Sequence, residues 1–254
     1  MMRLHIENIH KAFDDKKVLT GASAVIDQGK ISGLIGRNGA GKTTLFNILY
    51  GDIPQDQGHL FLEIDGTKRP LRAEDVGLLF SNPLVAECTT GYECVKLFLD
   101  IHNLPSDEAS IRQAFELVSL DREDWDRLIR DYSHGMKNKI MMLMVFLAKP
   151  PVILLDEPLT SLDIVLAAQI KDFLRSYKQD HIIIMSTHIL DLAKSLCDDI
   201  ILLRKGVLQA LPDEKFKDPD FERYLVDLLT DDSNEAQLAQ EAQALETPEA
   251  WHHD

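Results

Sequence analysis

The chain has 254 residues, 45% of them hydrophobic, with a formal net charge of −15 and a pI near 5.0. That length fits one large α/β domain or a core with an inserted subdomain, and the acidity excludes a general nucleic-acid-binding surface, which needs clustered Lys and Arg. The three cysteines (Cys88, Cys94, Cys197) have no metal-ligand or redox spacing and read as free thiols of a reducing compartment.

No apolar run approaches the roughly 18 residues of a membrane span, and the start, Met-Met-Arg-Leu-His-Ile, lacks a signal-peptide apolar region. The expectation is a soluble chain whose membrane role, if any, runs through a partner. Residues 1–30 alternate as two strands, one with Leu4, Ile6 and Ile9, the next with Val18, Leu19, Ala22, Ala24 and Ile26, joined by a turn at Asp14-Asp15. Phe13 closes the first run. It reads equally as a hairpin core residue or as a flat face for an adenine ring.

Lys30–Ile35 is apolar enough for a buried strand. It runs into Gly36-Arg37-Asn38-Gly39-Ala40-Gly41-Lys42-Thr43-Thr44, which matches the P-loop or Walker A pattern G-x-x-x-x-G-K-[ST]. Inward-pointing main-chain N–H groups in such a loop form an anion cradle, and side chains at Gly36, Gly39 or Gly41 would obstruct it. The following helix, with Leu45, Ile48 and Leu49 on one face and Gly51 as its stop, aims its positive end at the same phosphates. Lys42 is expected on the β- and γ-phosphates and the Thr43 hydroxyl on Mg²⁺.

Residues 52–80 read as strand-rich, with a hairpin at Asp65-Gly66 and a short apolar run Val76–Phe80 that turns at Ser81-Asn82-Pro83. From 84 to 149 the pattern becomes helical. One helix carries Val95, Leu97, Phe98 and Ile101, a second Ile111, Ala114, Phe115 and Val118, and a third runs from Met136 to Leu147. Met141, Met142 and Met144 on the third are read as gap-filling core rather than a ligand groove. Pro150-Pro151 ends the helical stretch.

Val152–Leu155 followed by Asp156-Glu157 is the Walker B pattern, a buried strand delivering two carboxylates to a nucleotide crevice. Because neighbouring strand residues point oppositely, Asp156 is assigned to the Mg²⁺ shell and Glu157 to the general base on the attacking water. His181–His188 repeats the theme, a buried strand whose end places His188 where a γ-phosphate would sit. Asp199–Ala210 reads as two strands about Gly206. Residues 213–254 are set apart as an acidic tail, helical or disordered.

These pieces, in this order over residues 2 to about 210, resemble the ATP-binding subunit of ABC transporters. Tyr132-Ser133-His134-Gly135-Met136-Lys137 is similar to the family's LSGGQ signature, keeping Ser133 and Gly135 and replacing its Leu, first Gly and Gln by Tyr132, His134 and Met136. This form is similar to that of the ABC-2-type exporter branch. Ser161-Leu162-Asp163 resembles the D-loop, Ser186-Thr187-His188 the switch-histidine loop, and Phe13 the aromatic A-loop. The Q-loop position, Gln or Glu in the family and a contact of Mg²⁺ and the attacking water, falls on Ser81; serine reaches such a site only through a water.

The resemblance implies a P-loop NTPase core, a mainly parallel sheet flanked by helices, with an antiparallel β subdomain and an inserted α-helical subdomain. The expected organisation is an ATPase domain over 1–212, with residues 1–83 and 150–212 as core and β subdomain and 84–149 as the helical subdomain carrying the signature. It further implies ATP and Mg²⁺ as cofactors, residues 36–44 with Phe13 around the nucleotide, and Ser133 and Gly135 on the γ-phosphate of an opposed copy or paralogue. An integral membrane permease subunit is the implied partner, at the cytoplasmic face of the membrane. Two rivals stay open at this point: a soluble ABC-type ATPase uncoupled from transport, and a weakly hydrolysing regulatory subunit, the latter prompted by Ser81.

Overall fold

The computed structural model describes residues 1–80, 85–158, 164–212, 216, 218 and 220–230, without the side chains of 164–167, 169 and 230. Ser81 and Ser161–Asp163, whose resemblance to the Q-loop and D-loop is noted above, and the acidic stretch 231–254 lie outside the described residues.

Two sheets organise the chain. The first is antiparallel, in the order β2 (Lys16–Asp27), β1 (Met2–Phe13), β4 (Gln57–Ile64), β5 (Thr67–Pro70). The second has six strands in the order β10 (Val207–Ala210), β9 (Asp199–Arg204), β3 (Ile31–Ile35), β8 (Ile182–Ser186), β7 (Val152–Asp156), β6 (Val76–Leu79). Its pairs are parallel except for β9–β10, a hairpin closed at Lys205-Gly206. β3, β7 and β8 are buried at every residue. That is why they read as continuous apolar runs rather than alternating ones: helices cover both faces of a parallel sheet. Burying each Leu or Ile of these strands contributes about 2 kcal/mol.

One face of the six-stranded sheet carries α1 (Lys42–Tyr50) and the antiparallel sheet, in a core that includes Leu34, Phe46, Leu49, Leu62 and Leu154. The other carries α4 (His134–Ala148), α5 (Ile164–Tyr177), α6 (Leu190–Leu196) and α7 (Phe221–Thr230), around Met141, Phe146, Met185 and Leu202. Met141 and Met142 are core, as their helical spacing suggests. Within the stretch 213–254, residues 221–230 are helical, and Phe221, Leu225 and Leu228, at helical spacing, are buried in this same core, so this helix packs on the domain.

The helical region between β6 and β7 has a core of its own. α2 (Gly91–Ile101) opens with a capping box between Thr90 and Glu93, and α3 (Glu108–Leu117) with Asp107 as its cap. The buried face of α2 is Cys94, Val95 and Leu99, while Leu97 and Ile101 are exposed. Phe115 and Trp125 stack with ring centres 4.4 Å apart. Tyr132, which stands where the signature has Leu, is buried in this core, and its hydroxyl donates to the Asp124 carbonyl at 2.7 Å. Burial pushes the Tyr132 phenol up to about 12, with Asp124 adding to the effect.

A bidentate ion pair joins the two sheets. Arg69 on β5 donates twice to Asp75, at 2.6 Å each, immediately before β6, and the Arg72 N–H adds a third bond at 2.9 Å. Asp75 is only 5% exposed. The Arg69 hydrogen bonds outweigh burial and hold its carboxyl below the usual carboxylate range. A depressed pKa contributes stability above the unfolded value, near 4, and loses it as pH falls through the folded value. Asp75→Asn is therefore expected to cost about 2 kcal/mol at pH 7, less than a fully buried pair because Arg69 is partly solvated. In denaturant titrations the gap between parent and variant should close as the pH is lowered below about 4.

Candidate nucleotide site

The site is built at the carboxyl ends of three adjacent strands. The register places Leu34 of β3 beside Ser186 of β8, and Ser186 beside Asp156 of β7, in one row. Beyond this row the chains of β3, β7 and β8 continue as Gly36–Thr44, Glu157 and Thr187-His188.

The glycines of the loop have local reasons of their own. A Cβ on Gly36 would lie 2.6 Å from the Leu203 carbonyl oxygen, so the sheet itself forbids a side chain there. Gly41 has φ 108° and serves as the N-cap of α1 without a side-chain cap. Obstruction of a phosphate is thus not the only reason for glycine here. No acidic residue occupies the first turn of α1, which leaves an uncompensated positive helix end. The Lys42 ammonium, mostly buried, donates to the Gly36 carbonyl at 2.8 Å and to that of Arg37 at 3.4 Å, tying the two ends of the loop together. Arg37, Asn38 and Gly39 form its exposed crest, Ala40 is half-buried, and Thr44 lies in the first turn of α1.

The acidic pair divides as expected, through a different device. β7 ends at Asp156, and Glu157 has φ 52°, so it is a left-handed backbone and not strand alternation that turns the two side chains apart. Asp156 accepts from the Thr43 hydroxyl at 3.2 Å. Glu157 pairs with His188, Oε1 to Nδ1 at 2.9 Å. Lys42, Thr43, Asp156, Glu157 and His188 therefore meet at the carboxyl ends of the central strands.

The Thr43–Asp156 pair suits Mg²⁺. Both donors are hard oxygens, and their 3.2 Å separation is close to the roughly 3 Å edge of an octahedron with 2.1 Å arms. Among the described residues no group of three or more His, Cys, Asp or Glu could hold a metal ion. A cation here would complete its shell with phosphate oxygens and water.

Phe13 ends β1 and is 44% exposed. Its hairpin adjoins the loop: Val18 of β2 lies so close to Gly41 that a Cβ there would meet it at 2.8 Å. The Lys11 ammonium sits 5.4 Å over the Phe13 ring and pairs with Asp56 at 2.9 Å, a support that the sequence reading missed. Ser133 and Gly135 lie elsewhere. Ser133 is the exposed N-cap of α4, its hydroxyl accepting the Met136 N–H at 3.2 Å, and Gly135 is in that first turn. Among the described residues no hydrogen bond joins 132–137 to 36–44 in one chain.

The family profile described as ABC transporter matches residues 19–160, more than half of the chain. The chain belongs to the ABC transporter family. An uncharacterized ABC transporter ATP-binding protein of Bacillus subtilis, YdbJ, is 32% identical over 219 residues, 82% of this chain and 68% of that protein. The spermidine/putrescine import ATP-binding protein PotA of Spiroplasma citri is 30% identical over 224 residues, 85% of this chain and 64% of that one. A solved structure of an ATP binding subunit of an ABC transporter superposes with a TM-score of 0.73 at 25% identity, covering 94% of this chain and 99% of that one. The mixed α/β architecture with one parallel-dominated and one antiparallel sheet is that of ABC ATPases. No helix among the described residues is long and apolar enough to cross a membrane.

Proposed function

We propose that this ABC ATP-binding domain is the energy-converting subunit of a membrane transporter. In this reading it binds ATP on residues 36–44, with Phe13 under the adenine, and hydrolyses it. The observation that carries the proposal is the meeting of Lys42, Thr43, Asp156, Glu157 and His188 at the carboxyl ends of the central strands. Thr43 and Asp156 would hold Mg²⁺, which when bound neutralises phosphate charge. Lys42 exchanges its loop carbonyls for phosphate oxygens. Glu157 takes a proton from the attacking water as the bond to the γ-phosphorus forms and the β–γ bridge breaks. His188 donates from Nδ1 to Glu157, and in its doubly protonated form also from Nε2 to a γ-phosphate oxygen.

The placement of Ser133 and Gly135 away from the loop supports a head-to-tail pair with an identical or paralogous subunit, each closing its α4 N-terminus on the other's γ-phosphate. An integral membrane permease subunit is the proposed transport partner, reached from the cytoplasmic face, with no nucleic acid involved. Export rests on the Tyr132–Lys137 form alone, since PotA is named as an import protein. Solubilisation of native membranes in mild detergent tests the coupling. The chain is expected to co-purify with a polypeptide bearing several apolar spans and to hydrolyse ATP faster in its company. Recovery without any membrane subunit, at unchanged turnover, would remove the transport role.

A further inference from the structure

Ser186 is the one residue of the central row whose side chain touches both halves of the acidic pair. Its side chain is fully buried. The hydroxyl donates to Asp156 Oδ1 at 2.5 Å and accepts the Glu157 N–H at 3.1 Å. The Glu157 N–H also reaches the Ser186 carbonyl at 3.2 Å. The parallel register β7–β8 pairs Asp156 with Ser186 directly, so the contact is built into the sheet. We propose that Ser186 is a positioning residue for the metal-facing carboxylate: its hydroxyl claims Oδ1 of Asp156 and so presents Oδ2 to Thr43 and the cation. The inference rests on the assignment of Thr43 and Asp156 proposed above.

The physical case is one of valence. A serine hydroxyl has a single proton, and here it goes to a carboxylate in a buried, charge-assisted bond. A carboxylate with both oxygens free rotates readily and offers either oxygen to a cation; one whose Oδ1 is held by a buried donor has its orientation fixed, with Oδ2 the less encumbered oxygen. The Ser186 hydroxyl oxygen also receives the N–H of Glu157, whose φ of 52° needs anchoring. Ser186 thus fixes the orientation of one acidic group and the backbone entry to the other. His188, two residues on, holds the Glu157 side chain. Groups of this kind around metal ligands change metal affinity by about 10- to 100-fold when removed.

Ser186→Ala deletes the hydroxyl but leaves the Glu157 N–H its carbonyl partner, so the melting midpoint is expected within about 4 °C of the parent. ATP affinity is measured by fluorescence titration in excess chelator and across a Mg²⁺ series. Expected is a Mg²⁺ midpoint raised about tenfold, with ATP affinity in chelator within about twofold of the parent. An unchanged Mg²⁺ midpoint overturns the proposal. So does a variant that melts far lower and loses ATP affinity equally with and without Mg²⁺, because that assigns Ser186 to the sheet alone. Asp156→Asn is measured alongside. If it leaves the Mg²⁺ midpoint of the parent unmoved, the metal-facing role of Asp156 fails and the Ser186 proposal falls with it. If Asp156→Asn shifts the midpoint and Ser186→Ala does not, only the Ser186 proposal fails.

Discussion

Glu157→Gln is expected to lower ATP turnover by at least about a hundredfold while leaving ATP affinity within a few-fold of the parent. The substitution keeps side-chain volume and removes the group that can take a proton, and a positioned general base contributes about 10²- to 10⁴-fold. The geometry makes it selective. The Glu157 carboxylate pairs with His188, and among the described residues no hydrogen bond joins it to the loop, so binding groups stay in place. Its backbone N–H remains anchored on Ser186, so the left-handed turn is not disturbed. Glutamine can still accept from His188 Nδ1 through its carbonyl oxygen. With binding intact and chemistry blocked, the proposed head-to-tail pair should accumulate with ATP and not with ADP, visible as a shift in size-exclusion elution. Turnover that survives the substitution would take the base role away from Glu157. Slow turnover without a shifted peak would keep that role and count against ATP-held dimerisation.

Much of this site was legible because parallel strands and P-loops leave strong local traces. Val152–Leu155 and His181–Ser186 are runs of buried residues ending in polar ones, and both end at the carboxyl end of the sheet where Lys42 lies. What escaped detection depends on tertiary register. Nothing in the order of residues says that Ser186 stands opposite Asp156, or that Asp56 supports Lys11 beneath Phe13. The split of the two carboxylates was reached through strand alternation, yet the chain leaves the strand at Asp156 and uses a positive φ. A left-handed Glu has no local sequence mark, since only its tertiary N–H bonds keep it there. Of the apolar residues that mark α2, Leu97 and Ile101 are exposed, and the buried stripe of Cys94, Val95 and Leu99 emerges only from the packing. In the C-terminal region Phe221, Leu225 and Leu228 are spaced as one face of an amphipathic helix, and that face is buried.

Lys42→Ala is expected to weaken ATP binding about a hundredfold, and ADP binding by less. The ammonium is a compact charge facing the loop interior, and hydrogen bonds to charged groups contribute about 1.5–3 kcal/mol each. Its partners in the structure are two loop carbonyls, at 2.8 and 3.4 Å, and these neutral acceptors give way to phosphate oxygens, which are better ones. ATP offers it both β- and γ-oxygens whereas ADP offers only the β-phosphate, so the two affinities should diverge in the parent and converge in the variant. The substitution has a second consequence. With the ammonium gone the Gly36 and Arg37 carbonyls lose their shared donor, and the loop's ends are no longer tied. Lys42→Met keeps most of the buried stem and so controls for lost packing, while the comparison of ADP with ATP separates charge from tethering. If charge is the dominant factor, Met and Ala variants lose ATP affinity alike in equilibrium titrations. If loop tethering dominates, both lose affinity for ADP as severely as for ATP. An ATP affinity that stays at the parental value in both variants would leave the loop without its phosphate-binding cation and remove the basis for reading residues 36–44 as the nucleotide cradle.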